Sequence, residues 1–285
     1  MNKATIIGAV LTLGVVLLAI ITFWPSAPAT VTPPIVTETI QEVVTLTVPT
    51  TTTAVIGQSV QGRDIVAHTF GTGSTSVLFV GGIHGGYEGN TVGLAEGVIE
   101  EFHLQPNVIP DHLTVHVISN LNPDGYALPG TASDFDRRMN ANGVDLNRNF
   151  DCEWVPESTW RSTPVSGGSA PFSEPEAVAL RDYITPIQDN LAGAVFWHSQ
   201  ANQVFTSECG LGNGATPGGS ELMNAYATAA NYEAFGMWTA YPVTGAAEDW
   251  LATLGIPAIT VELETRDSIE WQRNWAAVLA TLGLY

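Results

Sequence analysis

A chain of 285 residues is long enough for one large domain with a substantial core. Hydrophobic residues make up 45% of it and charged residues 13%, which excludes an intrinsically disordered protein. Asp and Glu number 28 against 9 Lys and Arg, and the resulting charge of −19 repels nucleic acid, which argues against DNA or RNA as a partner.

The first element in chain order is the run from Ala4 to Trp24, which carries no charge and has the length of a helix that crosses a bilayer. Lys3 and the terminal amine precede it, and no Lys or Arg follows before Arg63, so the positive-inside rule places everything downstream outside the cytoplasm. The run exceeds the roughly 7–15 apolar residues of a signal h-region, which favours a membrane anchor. Ala27-Pro28-Ala29 nevertheless resembles a cleavage site, which would make the downstream part a secreted protein. Residues 25–54 are dominated by Pro, Thr and Val and read as an extended stalk. The expected organisation is therefore 1–24 as signal anchor or signal peptide, 25–54 as stalk, and 55–285 as one folded domain.

Four apolar runs in that domain read as strands: Ser76–Ile83, Leu113–Ser119, Leu191–Trp197 and Ile256–Leu263. Helical patterns lie between or after them, at Asn90–Phe102, Glu174–Asp189, Glu221–Glu233 and Trp271–Leu284, the second opening on Ser173 with Glu176 as in a capping box. Strands alternating with helices predict an α/β fold, a mixed and mostly parallel sheet sandwiched between helices.

Polar residues collect at the ends of these strands, where open α/β sheets bind ligands. His84 and Glu88 sit in GGIHGGYEGN, whose glycines let the backbone turn sharply between strand and helix. His198, in FWHSQ, offers a second imidazole from another strand end. Two imidazoles and one carboxylate, with a fourth position left open, form a catalytic zinc donor set. The segment RRMNANGVDLNRNF, Arg137–Phe150, is dense in Arg and Asn, a pairing suited to bidentate recognition of a carboxylate. His68, His103, His112 and His116 have no such company and are expected to be structural or at the surface. Cys152 and Cys209 form no CxxC motif; an exported domain would allow a disulfide between them, and two buried thiols are the alternative.

Several segments together resemble the M14 family of zinc carboxypeptidases, the carboxypeptidase A-like group, in the family's order. They are GGIHGGYEGN, NPDGY (Asn122–Tyr126), RRMNANGVDLNRNF, FWHSQ, YPVTGAAEDW (Tyr241–Trp250) and ITVELET (Ile259–Thr265). The resemblance implies one zinc ion per chain on His84, Glu88 and His198. It implies a clamp for the substrate's terminal carboxylate at Asn147 and Arg148. Arg138 matches the arginine that steadies the oxyanion, with Arg137 as fallback. Tyr241 matches the tyrosine that closes over substrate, and Glu262 the general base and acid, with Glu264 as the register-shifted alternative. Glu248 falls where members that cleave basic residues carry an acid, although a helix-start carboxylate would suit AAEDW as well.

Two features depart from the family pattern. His84 and Glu88 are one residue further apart than the common HxxE spacing, and Tyr87 stands where an arginine often precedes the ligand Glu. Activation by removal of a propeptide is not expected. The implied activity is hydrolysis of the C-terminal residue of peptides by a monomeric domain, tethered to a membrane through the N-terminal helix. The competing readings are a zinc amidase or peptidase acting on cell-wall peptides, and a surface binding module without catalysis.

Overall fold

The computed structural model describes residues 51–210 and 214–285. The expected N-terminal helix and most of the expected stalk lie outside them. Among the described residues no helix is long and apolar enough to cross a membrane.

Among the described residues there are ten strands: β1 Thr51–Gln58, β2 Asp64–Gly71, β3 Thr75–Val80, β4 Leu113–Ile118, β5 Glu157–Trp160, β6 Thr163–Ser166, β7 Leu191–Ser199, β8 Gln203–Thr206, β9 Glu233–Gly236 and β10 Ala258–Leu263. The α-helices are α1 Gly89–Leu104, α2 Pro123–Ala127, α3 Pro175–Ile184, α4 Gly219–Ala230, α5 Ala247–Thr253 and α6 Trp271–Leu282. Eight strands form one mixed sheet in the order β1-β2-β4-β3-β7-β10-β8-β9, and β5 and β6 form a separate hairpin. The central strands β4, β3, β7 and β10 run parallel to their neighbours in that series. β1 begins at Thr51, ahead of Val55, because Thr51–Ala54 pair antiparallel with Ala67–Phe70.

The apolar runs are continuous because both faces of the central strands are covered, as is usual for parallel sheets. Alternation divides each strand between two cores. Val77 and Phe79 of β3, Val195 and Trp197 of β7, and Ile259 and Val261 of β10 join Leu94, Val98 and Phe102 of α1, Tyr226 of α4 and Val278 of α6. Leu78 and Val80, Ala194 and Phe196, and Ala258 join Leu180 of α3 and Leu251 of α5 on the other side. His198 follows Phe196 by two residues, so the same alternation puts its side chain on the α3 and α5 side, at the strand's carboxyl end. Glu262 is its register partner on β10.

Helix α3 corrects one detail of the sequence reading. Pro175 occupies the first turn and Glu174 is the cap residue; Ser173 instead donates its hydroxyl to Glu174 Oε1 at 2.8 Å. Glu176 does not close a capping box, because its carboxylate accepts from Val60 N and Asn140 Nδ2. Cys152 and Cys209 are joined as a disulfide, with Cα atoms 5.6 Å apart.

Candidate metal centre and substrate cleft

The chain leaves β3 through two glycines, reaches His84, and makes a short 3-10 turn over Gly85–Glu88. Gly85 has φ +49°, and a Cβ there would come within 2.7 Å of backbone atoms of Arg137 and Gly125, so the turn needs glycine. This turn absorbs the extra residue between His84 and Glu88. It brings Glu88 Oε2 to 2.9 Å from His84 Nδ1. His198 Nδ1 lies 3.1 Å from Glu88 Oε2 and 3.1 Å from His84 Nδ1. Three potential donor atoms from two strand ends and a turn thus form a compact triangle, and all three residues are buried.

A second row of acids backs this triangle. His198 Nε2 is 2.9 Å from Glu248 Oε1 on the first turn of α5. His84 Nε2 is 3.3 Å from Asp145 Oδ1, an ion-pair distance without well-aligned hydrogen-bond geometry. Asp145 also accepts from Arg138 Nε at 2.8 Å and from Asn147 N at 3.1 Å, so it fixes the turn that carries the LNR segment. Arg138 reaches Glu88 Oε1 at 3.3 Å.

The electrostatics follow from this packing. Burial alone would raise the Glu88 and Asp145 carboxyls, but His84 and His198 around Glu88, and Arg138 and His84 around Asp145, hold both well below the usual range. Burial would lower the His198 pKa, yet Glu248 and Glu88 push it up to about 10. A centre that favours positive charge this strongly, built from two imidazoles and a carboxylate, fits a divalent cation of the zinc type. The carboxylate behind each imidazole is the usual device for fixing a ligand's tautomer.

Nine residues singled out in the sequence for the site line one cleft of about 450 Å³: His84, Glu88, Arg138, Asn147, Arg148, His198, Tyr241, Glu248 and Glu262. Glu262 is half-buried, but its Oε2 is covered and has no hydrogen-bond partner. Burial and the charge of Glu88 push its pKa up to about 7. Glu264 lies past the end of β10, is exposed, and pairs with Arg273 at 2.9 Å. Arg137 is turned away, its guanidinium donating to the carbonyls of Gly130 and Tyr126. Arg148 donates to the carbonyls of Asn147 and Thr159, and Asn147 Oδ1 accepts from Ala247 N. Tyr241 packs edge-on against Trp238.

Sequence reasoning missed several groups. Asp145 stood in VDLNRNF as an acid ahead of the clamp, a signal that was available. Asp249, whose carboxyl burial and Glu248 push up to about 8, lies beside Glu248 in the cleft wall. Arg266 follows the ITVELET segment, lies 3.8 Å over the ring of Tyr87 and also lines the cleft. Trp160 and Arg161, at the tip of the β5–β6 hairpin, had no sequence signal.

The sheet thus brings a His-Glu-His triangle, an Asn-Arg pair and Glu262 onto one cleft. The family described as zinc carboxypeptidase matches residues 36–274, and the chain belongs to that family. Carboxypeptidase O of Bos taurus is 28% identical over 176 residues, covering 55% of this chain and 46% of its own length, so the chain spans under half of that relative. The carboxypeptidase A of Helicoverpa armigera shares the fold, with a TM-score of 0.67 at 20% identity over 81% of this chain and 67% of the other. The murein-tripeptide amidase MpaA of Escherichia coli O157 is 26% identical, with a TM-score of 0.59 over 82% of this chain and 92% of that one.

Proposed function

We propose that the chain is a zinc-dependent carboxypeptidase that removes the C-terminal residue of peptides. One observation carries this reading: the Asn147–Arg148 pair opens onto the same cleft as the His84-Glu88-His198 triangle and Glu262. His84 Nδ1, Glu88 Oε2 and His198 Nδ1 would hold one zinc ion. Bound there, zinc supplies a Lewis acid that acidifies water and polarises a carbonyl oxygen.

The protein's own groups supply the rest. Arg148 and Asn147 hold the terminal carboxylate, which fixes the scissile bond one residue in from the end. Glu262 accepts a proton from the attacking water and delivers it to the leaving amine, a role suited to a carboxyl whose pKa lies near neutrality. Arg138, held rigid by Asp145 and Glu88, directs its remaining donors at the oxyanion, where charge develops only in the transition state. Tyr241 closes over the bound peptide. Glu248 in the cleft wall favours a basic residue after the scissile bond. The uncharged run at Ala4–Trp24 and the Cys152–Cys209 disulfide support export of the domain, anchored or secreted.

A second reading is an amidase acting on cell-wall peptides. It is favoured by the likeness to the murein-tripeptide amidase, and the carboxylate clamp serves either substrate. Purified protein should contain about one zinc per chain and cleave peptides ending in Arg, Leu or Glu in a chelator-sensitive manner, but not their C-terminal amides. Cleavage of a muropeptide in preference to all of these would select the amidase. Protein with neither zinc nor chelator-sensitive cleavage of any of them would remove both readings and leave a binding module.

A further inference from the structure

The chain holds 9 Lys and Arg against 28 Asp and Glu, yet four of those nine, Arg138, Arg148, Arg161 and Arg266, line this cleft. Arg138 is committed to Asp145 and Glu88, and Arg148 to the carbonyls of Asn147 and Thr159. The arginines in ion pairs among the described residues are Arg63, Arg138, Arg181 and Arg273, so Arg161 and Arg266 bring cations without a carboxylate. Each lies instead on an aromatic ring, Arg266 3.8 Å over Tyr87 and Arg161 4.6 Å over Trp160, and the two rings meet edge-on at 5.7 Å. Stacking fixes a guanidinium and leaves the N–H donors on its edge free for a carboxylate. Arg266 is half-buried and uses only Nε, on Ser199 O at 3.4 Å. Arg161 is the first residue of the two-residue turn between β5 and β6, with φ +58°. Glycine is favoured in that conformation, so an arginine held there at a conformational cost points to a use for its side chain.

The contacts also give the two cations a side. Asn147 meets Glu248, Glu248 meets His198 Nε2, and the opposite ring nitrogen, Nδ1, meets Glu88. The imidazole therefore separates the clamp from Glu88, and Arg266 stands at Glu88's neighbour Tyr87. A peptide with its terminal carboxylate on the clamp and its scissile carbonyl at the triangle runs on toward Tyr87 and Trp160. We propose that Arg266, with Arg161 beside it, forms an anion subsite for a side-chain carboxylate on one of the two residues before the scissile bond. The substrate class this defines is acidic peptides, selected locally by two cations in a chain whose net charge of −19 repels them at a distance. The inference rests on the carboxypeptidase reading for the direction of the peptide, and it assigns roles to two residues that no part of the catalytic machinery uses.

The test uses four peptides: acetyl-Ala-Glu-Leu, acetyl-Glu-Ala-Leu and the Gln counterpart of each. Binding is measured by calorimetry on Glu262→Gln protein, so that no turnover intervenes, and kcat/KM on wild type reads the same preference with Glu262 charged. At least one Glu peptide should bind about tenfold more tightly than its Gln counterpart, the order of a charge-assisted hydrogen bond. Adding Arg266→Gln should abolish that preference, and Arg266→Lys should keep part of it. Arg181→Gln, which removes a cation outside the cleft, should leave it intact and so exclude an effect of net charge. Arg161→Gly should reduce it about threefold, as an exposed cation contributes less, with a melting temperature equal to or above that of the parent. The subsite is overturned if both Glu peptides bind within about twofold of their Gln counterparts, or if Arg266→Gln retains the preference. Arg161 is removed from it if Arg161→Gly keeps the full preference. Wild type that cleaves none of the four peptides, with the binding preference present, would refute the proposed function and leave the subsite standing.

Discussion

Replacing Glu262 by Gln removes one negative charge from the cleft and keeps the side chain's shape. Oε2 has no hydrogen-bond partner in the fold, so the amide forfeits no internal bond at that atom, and the metal triangle does not include this residue. The carboxyl's rise from 4.5 to about 7, caused by burial and by Glu88, corresponds to roughly 3 kcal/mol against its charged form. That makes it a stronger base than an ordinary glutamate, and a positioned general base contributes about 10²–10⁴-fold. The expected outcome is a kcat at least about 100-fold lower, with zinc content and melting temperature unchanged. The assay is kcat and kcat/KM on a peptide with a free C-terminus across the acid and neutral range, alongside metal analysis. In wild type, kcat/KM should rise with pH as the carboxylate forms. The limb should fall between 4.5 and about 7, since a cation on His84, Glu88 and His198 offsets part of the repulsion from Glu88. The limb should vanish in the variant. Turnover above about a tenth of wild type in Glu262→Gln would show that another group takes the proton.

Arg148→Lys keeps a positive charge but loses the planar fork, so KM for peptides with a free C-terminus should rise about 10–100-fold; an unchanged KM would remove the clamp. Replacing both Cys152 and Cys209 by Ser opens a loop with a sequence separation of 57, which chain-entropy arguments value at about 4 kcal/mol, and urea unfolding of the double variant should show a loss of that order. His116 is buried against Tyr183 and Ser76, and burial lowers its pKa from 6.5 to about 4. The unfolded chain therefore takes up this proton first on acidification, so stability is flat above about pH 6.5 and falls as pH drops from there toward 4. Wild type should lose roughly 2 kcal/mol more than His116→Gln between pH 7.5 and 5, measured as the difference in urea unfolding free energies.

The strands that build the site were legible because they are apolar on both faces and end at glycines or polar residues. A run such as Ser76–Val80 reads as a buried strand without knowledge of its neighbours, and the position of His84 just past it follows. Alternation could not separate Glu262 from Glu264, because residues two apart share a strand face. What separates them is that β10 stops at Leu263 and that Arg273, on a later helix, takes the carboxylate of Glu264. The start of β1 was not legible, since Thr51–Ala54 are polar or small and become a strand only through pairing with β2. The cap of α3 was misread for a related reason. Ser173 has the right chemistry, but Pro175 sets the first turn one residue later, and Glu176 is drawn to Asn140 and Val60 instead.

The second row of acids shows where sequence reading stops. A ligand histidine announces itself by its place at a strand end, because the sheet brings strand ends together. The acid behind it does not, because its role depends on which nitrogen of a distant ring it meets. Glu248 lies 50 residues from His198, and in the sequence a pocket acid and a helix-start carboxylate explain it equally well. It is in fact on the first turn of α5, in the cleft wall, and against Nε2 of His198 at once. The local pattern could not offer the third of these, since it arises only when β7 and α5 pack on the same side of the sheet. Asp145 is the converse case. Its motif was recognised for the Asn-Arg pair that follows, while the aspartate itself holds Arg138, His84 and the backbone of Asn147 together. Asp145 therefore joins the LNR segment to the His84 side of the triangle, and a substitution there should disturb Asn147–Arg148 and the triangle together rather than either alone.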